Sequence, residues 1–206
     1  MEDPAPVPAA IREYADQAVE YVRRALNMTL EFDSDTLPVL DHYLRSVAGS
    51  APETLQLVIA TSGAYFGEVV RRRLGGRWEM QFGEGGEDAG WRFVLPTGLN
   101  FSPEGFVAAA IAQGEVEEYD AALDAPARMR PYVEQTLQRM GELPEDEYYS
   151  LCNRFDTVEH IHETLVAVAA KMMGDTVDPD APDEGGDDDA EAAPEPVADE
   201  PSGGVN

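Results

Sequence analysis

The stretch Gly63-Ala64-Tyr65-Phe66-Gly67-Glu68-Val69-Val70-Arg71-Arg72-Arg73-Leu74-Gly75-Gly76-Arg77-Trp78-Glu79-Met80-Gln81-Phe82 contains a change of period. Up to Leu74 the apolar residues recur at helical spacing, in a run that Pro52 and Glu53 start and that includes Leu55, Val58, Ile59, Phe66 and Val69. Gly75-Gly76 ends it, because a left-handed helix C-cap is easiest with glycine. Beyond the glycines, Trp78, Met80 and Phe82 alternate with Arg77, Glu79 and Gln81, the pattern of a half-buried strand. A long helix delivered directly into a short strand points to the α+β class.

Downstream, Gly83 to Gly90 is a polar, glycine-rich hairpin connection, and Trp91 to Leu95 is the returning strand. Pro96-Thr97-Gly98 turns the chain toward a short third strand at Leu99-Asn100-Phe101. Ser102-Pro103-Glu104 starts a helix packed through Phe106, Val107, Ala110 and Ile111, with Gly114 as its stop. Upstream, Ile11, Ala15, Ala18, Val22 and Leu26 define an amphipathic helix over about residues 11–26. Asp33-Ser34-Asp35 caps a second helix, with Pro38 in its first turn and Leu37, Leu40, Leu44 and Val47 inward. The remainder reads as helical: a piece from Glu117 to Asp124, one opened by Pro131, a segment beginning at Leu143-Pro144-Glu145, and a regular last helix over about residues 156–173.

The expected architecture is a helix-rich single domain around a small two- or three-stranded antiparallel sheet, followed by a disordered acidic tail. Residues 1–9, with Pro4, Pro6 and Pro8, form an extended lead; residues 10–173 form the domain; residues 174–206 form the tail. The chain of 206 residues carries 41 acidic and 14 basic residues, a formal charge of −27. Twelve of the acids lie in residues 175–206, which hold no Lys, Arg or aromatic residue, so residues 1–174 are left at a net −15. That balance disfavours direct binding of nucleic-acid backbones or anionic membranes, both of which need Lys and Arg. No signal-like start and no long apolar run is present, so the expected location is the cytoplasm.

The two glycines Gly63 and Gly67, flanked by Ala60 and Ala64, leave one helix face nearly free of side chains, so something must approach it closely. Another helix is the expected neighbour, with a ligand as the alternative. Glu68 is expected to pair with Arg72 one turn later. Arg71, Arg72, Arg73 and Arg77 form the basic cluster of the sequence, so an anionic ligand or acidic partner surface would be sought at Gly63, Gly67, Glu68, Arg71, Arg72, Arg73 and Arg77.

Metal or general-base chemistry would fall to histidines. His160 and His162 sit in Glu159-His160-Ile161-His162-Glu163, but residues two apart on a helix point to nearly opposite sides. The facing pairs are Glu159 with His162 and His160 with Glu163, each only two ligands where a catalytic zinc wants three. A solvated His160 and a core-edge His162 are the expectation. Cys152 has no activating neighbours and reads as a small buried hydrophobe. With no G-x-S-x-G elbow, phosphate loop or H-E-x-x-H, neither a metal nor a cofactor is expected.

The run G-A-Y-F-G-E-V-V-R-R-R-L-G-G into R-W, the hairpin, the strand Trp91–Leu95 and the Phe101-Ser102-Pro103 helix start resemble bacterial domains of unknown function over about residues 30–115. Such domains occur near secretion or toxin systems, so the resemblance implies a neutralising role and supplies no catalytic residues. The function expected is a non-enzymatic cytoplasmic protein-interaction module, immunity-like or regulatory. Its tail would aid solubility or steer it to another protein with a basic surface. The alternatives are a hydrolase using His160 or His162 with a neighbouring Glu and a metal, and an acidic mimic of DNA.

Overall fold

The computed structural model describes residues 6–82, 88–141 and 144–174. The acidic tail, most of the N-terminal lead and the centre of the glycine-rich hairpin lie outside the described residues. The fold is α+β, in the element order α1 (Ala9–Leu26), α2 (Leu37–Val47), α3 (Pro52–Leu74), β1 (Arg77–Phe82), β2 (Asp88–Val94), β3 (Asn100–Phe101), α4 (Pro103–Ala112), β4 (Leu123–Asp124), α5 (Arg130–Met140), α6 (Glu145–Tyr148) and α7 (Leu151–Gly174).

α3 is the centre of the molecule. Every residue from Thr61 to Val70 is buried, so this half of the helix is enclosed on all sides. α1 packs along it chiefly through Ile11, Ala15, Ala18 and Val22, whose two alanines permit close approach, and α4 crosses it on another side. No helix among the described residues is long and apolar enough to cross a membrane.

The strands pair antiparallel in the order β1-β2-β3-β4. Trp78 stands opposite Phe93, and Phe93 opposite Phe101, so the inner face is aromatic. Arg77, Glu79, Arg92 and Asn100 take the alternate positions on the outer face. From the sheet the rings continue inward: Phe101 stacks on Phe106 of α4 at 4.7 Å, and Phe66 of α3 meets both edge-on at 6.0 Å. Ring pairs of this kind join three elements in one core.

Four expectations are corrected. The sheet has a fourth strand where a helix was expected: after a bridge between Val116 and Tyr119, Leu123–Asp124 pairs with β3. Two paired residues have no periodicity to read, and the backbone of Asp120 is pressed against Gly105 of α4, where a Cβ would overlap it. α4 ends not at Gly114 but with Gln113 in the left-handed region at φ 52°. α7 begins at Leu151, five residues before the expected start, because Ser150 Oγ accepts the Asn153 amide and Asp41 of α2 accepts those of Leu151 and Cys152. The glycine face of α3 meets two elements: Gly63 faces the backbone of Glu104 at the start of α4, but Gly67 is covered by the Trp78 indole.

Other ends follow the sequence. Asp33 Oδ1 accepts the Thr36 amide ahead of α2, and Ser102 Oγ accepts the Gly105 amide at the start of α4.

Candidate functional site

The arginine cluster does not form one patch, because each guanidinium is engaged separately. Arg71 makes a two-pronged contact with Glu68 at 2.9–3.0 Å, and the same buried carboxylate accepts the Trp78 Nε1–H at 2.8 Å. The expected Glu68–Arg72 pair is therefore absent. Arg72 lies instead over the Phe32 ring, 4.0 Å from its centroid. Arg73 reaches Glu159 on α7 at 2.7 Å, and Arg77 pairs with Glu79 on its own strand. Gly63 and Gly67 serve packing at this helix, beneath Glu104 and Trp78.

The histidine segment is likewise dispersed. Glu159 is taken by Arg73, while His160 and Glu163 are exposed. His162 is buried, with Nδ1 3.1 Å from Thr97 Oγ1 in the turn before β3. Burial holds its pKa below the usual histidine value against the opposing pull of Glu163. Among the described residues no three His, Cys, Asp or Glu side chains converge as a metal-binding group. Cys152 is half-buried, and burial together with the neighbouring Asp41 pushes its thiol up to about 12. A thiol so raised stays protonated at neutral pH and is a poor nucleophile.

A cleft of about 820 Å³ opens elsewhere, between the 115–123 connection, the end of α5, and α6 with the first turns of α7. Its size falls within the ~300–1,000 Å³ of small-ligand and peptide-end pockets. The inward backbone contact at Gly105 holds the 115–123 wall against α4. Leu137, Met140 and Tyr148 stand at the opposite side, 42, 37 and 47 % exposed, an unusual density of large apolar surface at one opening. Glu115 and Glu117 line the cleft and Glu118 follows them in the chain; all three are exposed, and none is in an ion pair with another described residue. Asp120, further along, is held by Arg92 at 2.6 Å.

Arg154 lines this cleft from α7. Its guanidinium lies over the rings of Tyr148 at 4.7 Å, Phe106 at 4.9 Å and Tyr149 at 5.7 Å. Its Nε is buried with no hydrogen-bond partner. Sequence reasoning passed over this residue, because its aromatic partners lie on two other elements, Phe106 on α4 and Tyr148 with Tyr149 at the end of α6. The local signal was the Tyr148-Tyr149 pair just upstream, broken from Arg154 by a turn.

Compared with known proteins, the chain matches no family model, no curated protein and no solved structure. The class is therefore set by its own architecture: an α+β protein with a central buried helix and an aromatic sheet face.

Proposed function

We propose that this protein is a non-enzymatic interaction module of the immunity-like or regulatory kind, which binds a protein with a basic surface at the lip of the cleft. The observation that carries the reading is a contrast in charge. The arginines of the 71–77 cluster are each occupied, by Glu68, Phe32, Glu159 or Glu79. Glu115, Glu117 and Glu118 are exposed and uncommitted, beside the apolar side chains of Leu137, Met140 and Tyr148. Apolar anchors with a charged rim are the composition of an interface, and a chain at −27 attracts cationic surfaces over long range.

The test is affinity capture from native cells with the full chain, the triple variant E115Q/E117Q/E118Q and a chain ending at residue 174, followed by cross-link mapping. A basic partner cross-linked around residues 115–118 is expected, with weaker capture by the triple variant and at high salt. Equal capture by the triple variant overturns the reading. Release of the partner by duplex DNA would favour DNA mimicry instead.

A further inference from the structure

Arg154 lines the cleft as a cation with no paired anion among the described residues. No hydrogen bond or ion pair joins the Arg154 guanidinium to another described residue, and its Nε is enclosed without an acceptor. Buried donors are normally satisfied, so an orphan of this kind calls for an explanation. The three rings present their faces to the guanidinium, and neither tyrosine hydroxyl is hydrogen-bonded to it. With Nε enclosed, the remaining N–H donors of this cleft-lining guanidinium have no carboxylate among the described residues, and they match a carboxylate from outside.

Besides Arg154 the cleft is lined by apolar Val116, Leu123, Leu137 and Met140 and by acidic Glu115 and Glu117. One cleft thus combines a cation, apolar side chains and carboxylates. We propose that the cleft receives the free C-terminus of a partner polypeptide: its carboxylate on Arg154, its last apolar side chain against Leu123, Leu137 and Met140, and Lys or Arg residues just upstream against Glu115 and Glu117. The proposal rests on the reading of a basic partner and adds which end of it enters. A small free acid would satisfy Arg154 but has nothing for the lip, whose charges oppose its approach. An internal basic segment would suit the lip but brings no carboxylate to the floor. A basic chain terminus meets both.

The full chain is titrated with a hexapeptide mixture carrying Lys or Arg at the third and fourth positions and Leu or Phe last, made as free acids and as C-terminal amides, with octanoate as a third probe. Free acids are expected to bind, and amides to bind at least about tenfold more weakly, the usual consequence of losing a charged hydrogen-bond partner. Arg154→Met keeps an apolar stem on Phe106 and is expected to abolish the preference for acid over amide. Arg154→Lys, which keeps the charge and loses the fork, retains only part of it and serves if the first variant does not fold. Equal binding of acids and amides, an unchanged preference in both variants, or no peptide bound at all overturns the proposal, as does octanoate binding that peptides do not displace. The two readings fail separately. Peptides bound equally as acid and amide, but released by E115Q/E117Q/E118Q, leave the basic-partner reading standing. Acid-specific binding indifferent to that variant leaves the carboxylate site standing without the lip.

Discussion

Asp41 Oδ1 accepts the backbone amide of Leu151 at 2.8 Å across 110 residues of sequence, and its Oδ2 accepts that of Cys152 at 3.2 Å. The first turn of α7 is thus capped by a side chain of α2, and the carboxylate also meets the positive end of the helix dipole. Because Arg154 stands on the next positions of that helix, Asp41 fixes the floor of the cleft from behind. Asp41→Ala leaves two amides without an acceptor in a place where Asp41 itself is only 4 % exposed. A loss of about 1–3 kcal/mol is expected by urea unfolding, with Asp41→Asn intermediate because its amide keeps one acceptor oxygen. Stability unchanged in both variants would show that water replaces the cap.

Gly67 and Trp78 make a second exacting contact. A Cβ at residue 67 would overlap the six-membered ring of the indole, whose Nε1 is hydrogen-bonded to buried Glu68. Gly67→Ala is expected to cost about 1–3 kcal/mol through overpacking, despite alanine's better helix propensity. Adding Trp78→Leu removes the obstructing ring, so the double variant should lose less than the two single losses combined. Strict additivity in a double-mutant cycle would mean that the indole is not what residue 67 meets.

The sequence made legible what repeats or punctuates locally. The switch of period after Gly75-Gly76, the strand pair Trp78 and Phe93, and the Ser102 cap with Pro103 are all set by neighbours in the chain. The glycine face of α3 announced a close approach but not its partner, because Trp78 lies past a turn that redirects the chain. Asp41 gave no signal, since it is remote in sequence from the helix whose first amides it accepts; the adjacent cap, Ser150, is local. Leu123–Asp124 is too short to alternate, and β3 supplies the pairing that makes it a strand. The site was hardest to read for the same reason: Arg154 joins Phe106 of α4 to the Tyr148-Tyr149 pair, whereas the conspicuous arginine run is dissolved by partners as remote as Phe32 and Glu159.

Ser62 offers a prediction of opposite sign. Its side chain is fully buried on α3, and its Oγ has no hydrogen-bond partner. The carbonyl of Val58, four residues earlier, which would ordinarily take a helical serine hydroxyl, already receives Thr61 Oγ1 at 3.3 Å. Removing an unsatisfied hydroxyl recovers its desolvation cost, and alanine is the better helix former. Ser62→Ala is expected to stabilise the protein by about 1 kcal/mol, read as a raised thermal midpoint. A lowered midpoint would mean that the hydroxyl finds a water or ligand acceptor.

His162 makes stability depend on pH in a fixed direction. Burial lowers its folded pKa, so between that value and the unfolded value of about 6.5 the unfolded chain binds the proton that the native state refuses. The corresponding stability is present above the unfolded pKa and is lost as pH falls toward the folded one. His162→Gln removes the titration while keeping a polar group toward Thr97, whose Oγ1 lies 3.1 Å from the ring nitrogen. Near pH 8, where the native imidazole is neutral, the variant is expected to be less stable by about 1 kcal/mol for the altered hydrogen bond and packing. As pH falls from about 7 to 5 the wild type declines more steeply, and the gap between the two proteins narrows. Measured by urea unfolding across that range, a constant gap would mean that burial and Glu163 cancel, and a widening one that Glu163 outweighs burial and the folded state holds the proton more tightly than the unfolded chain.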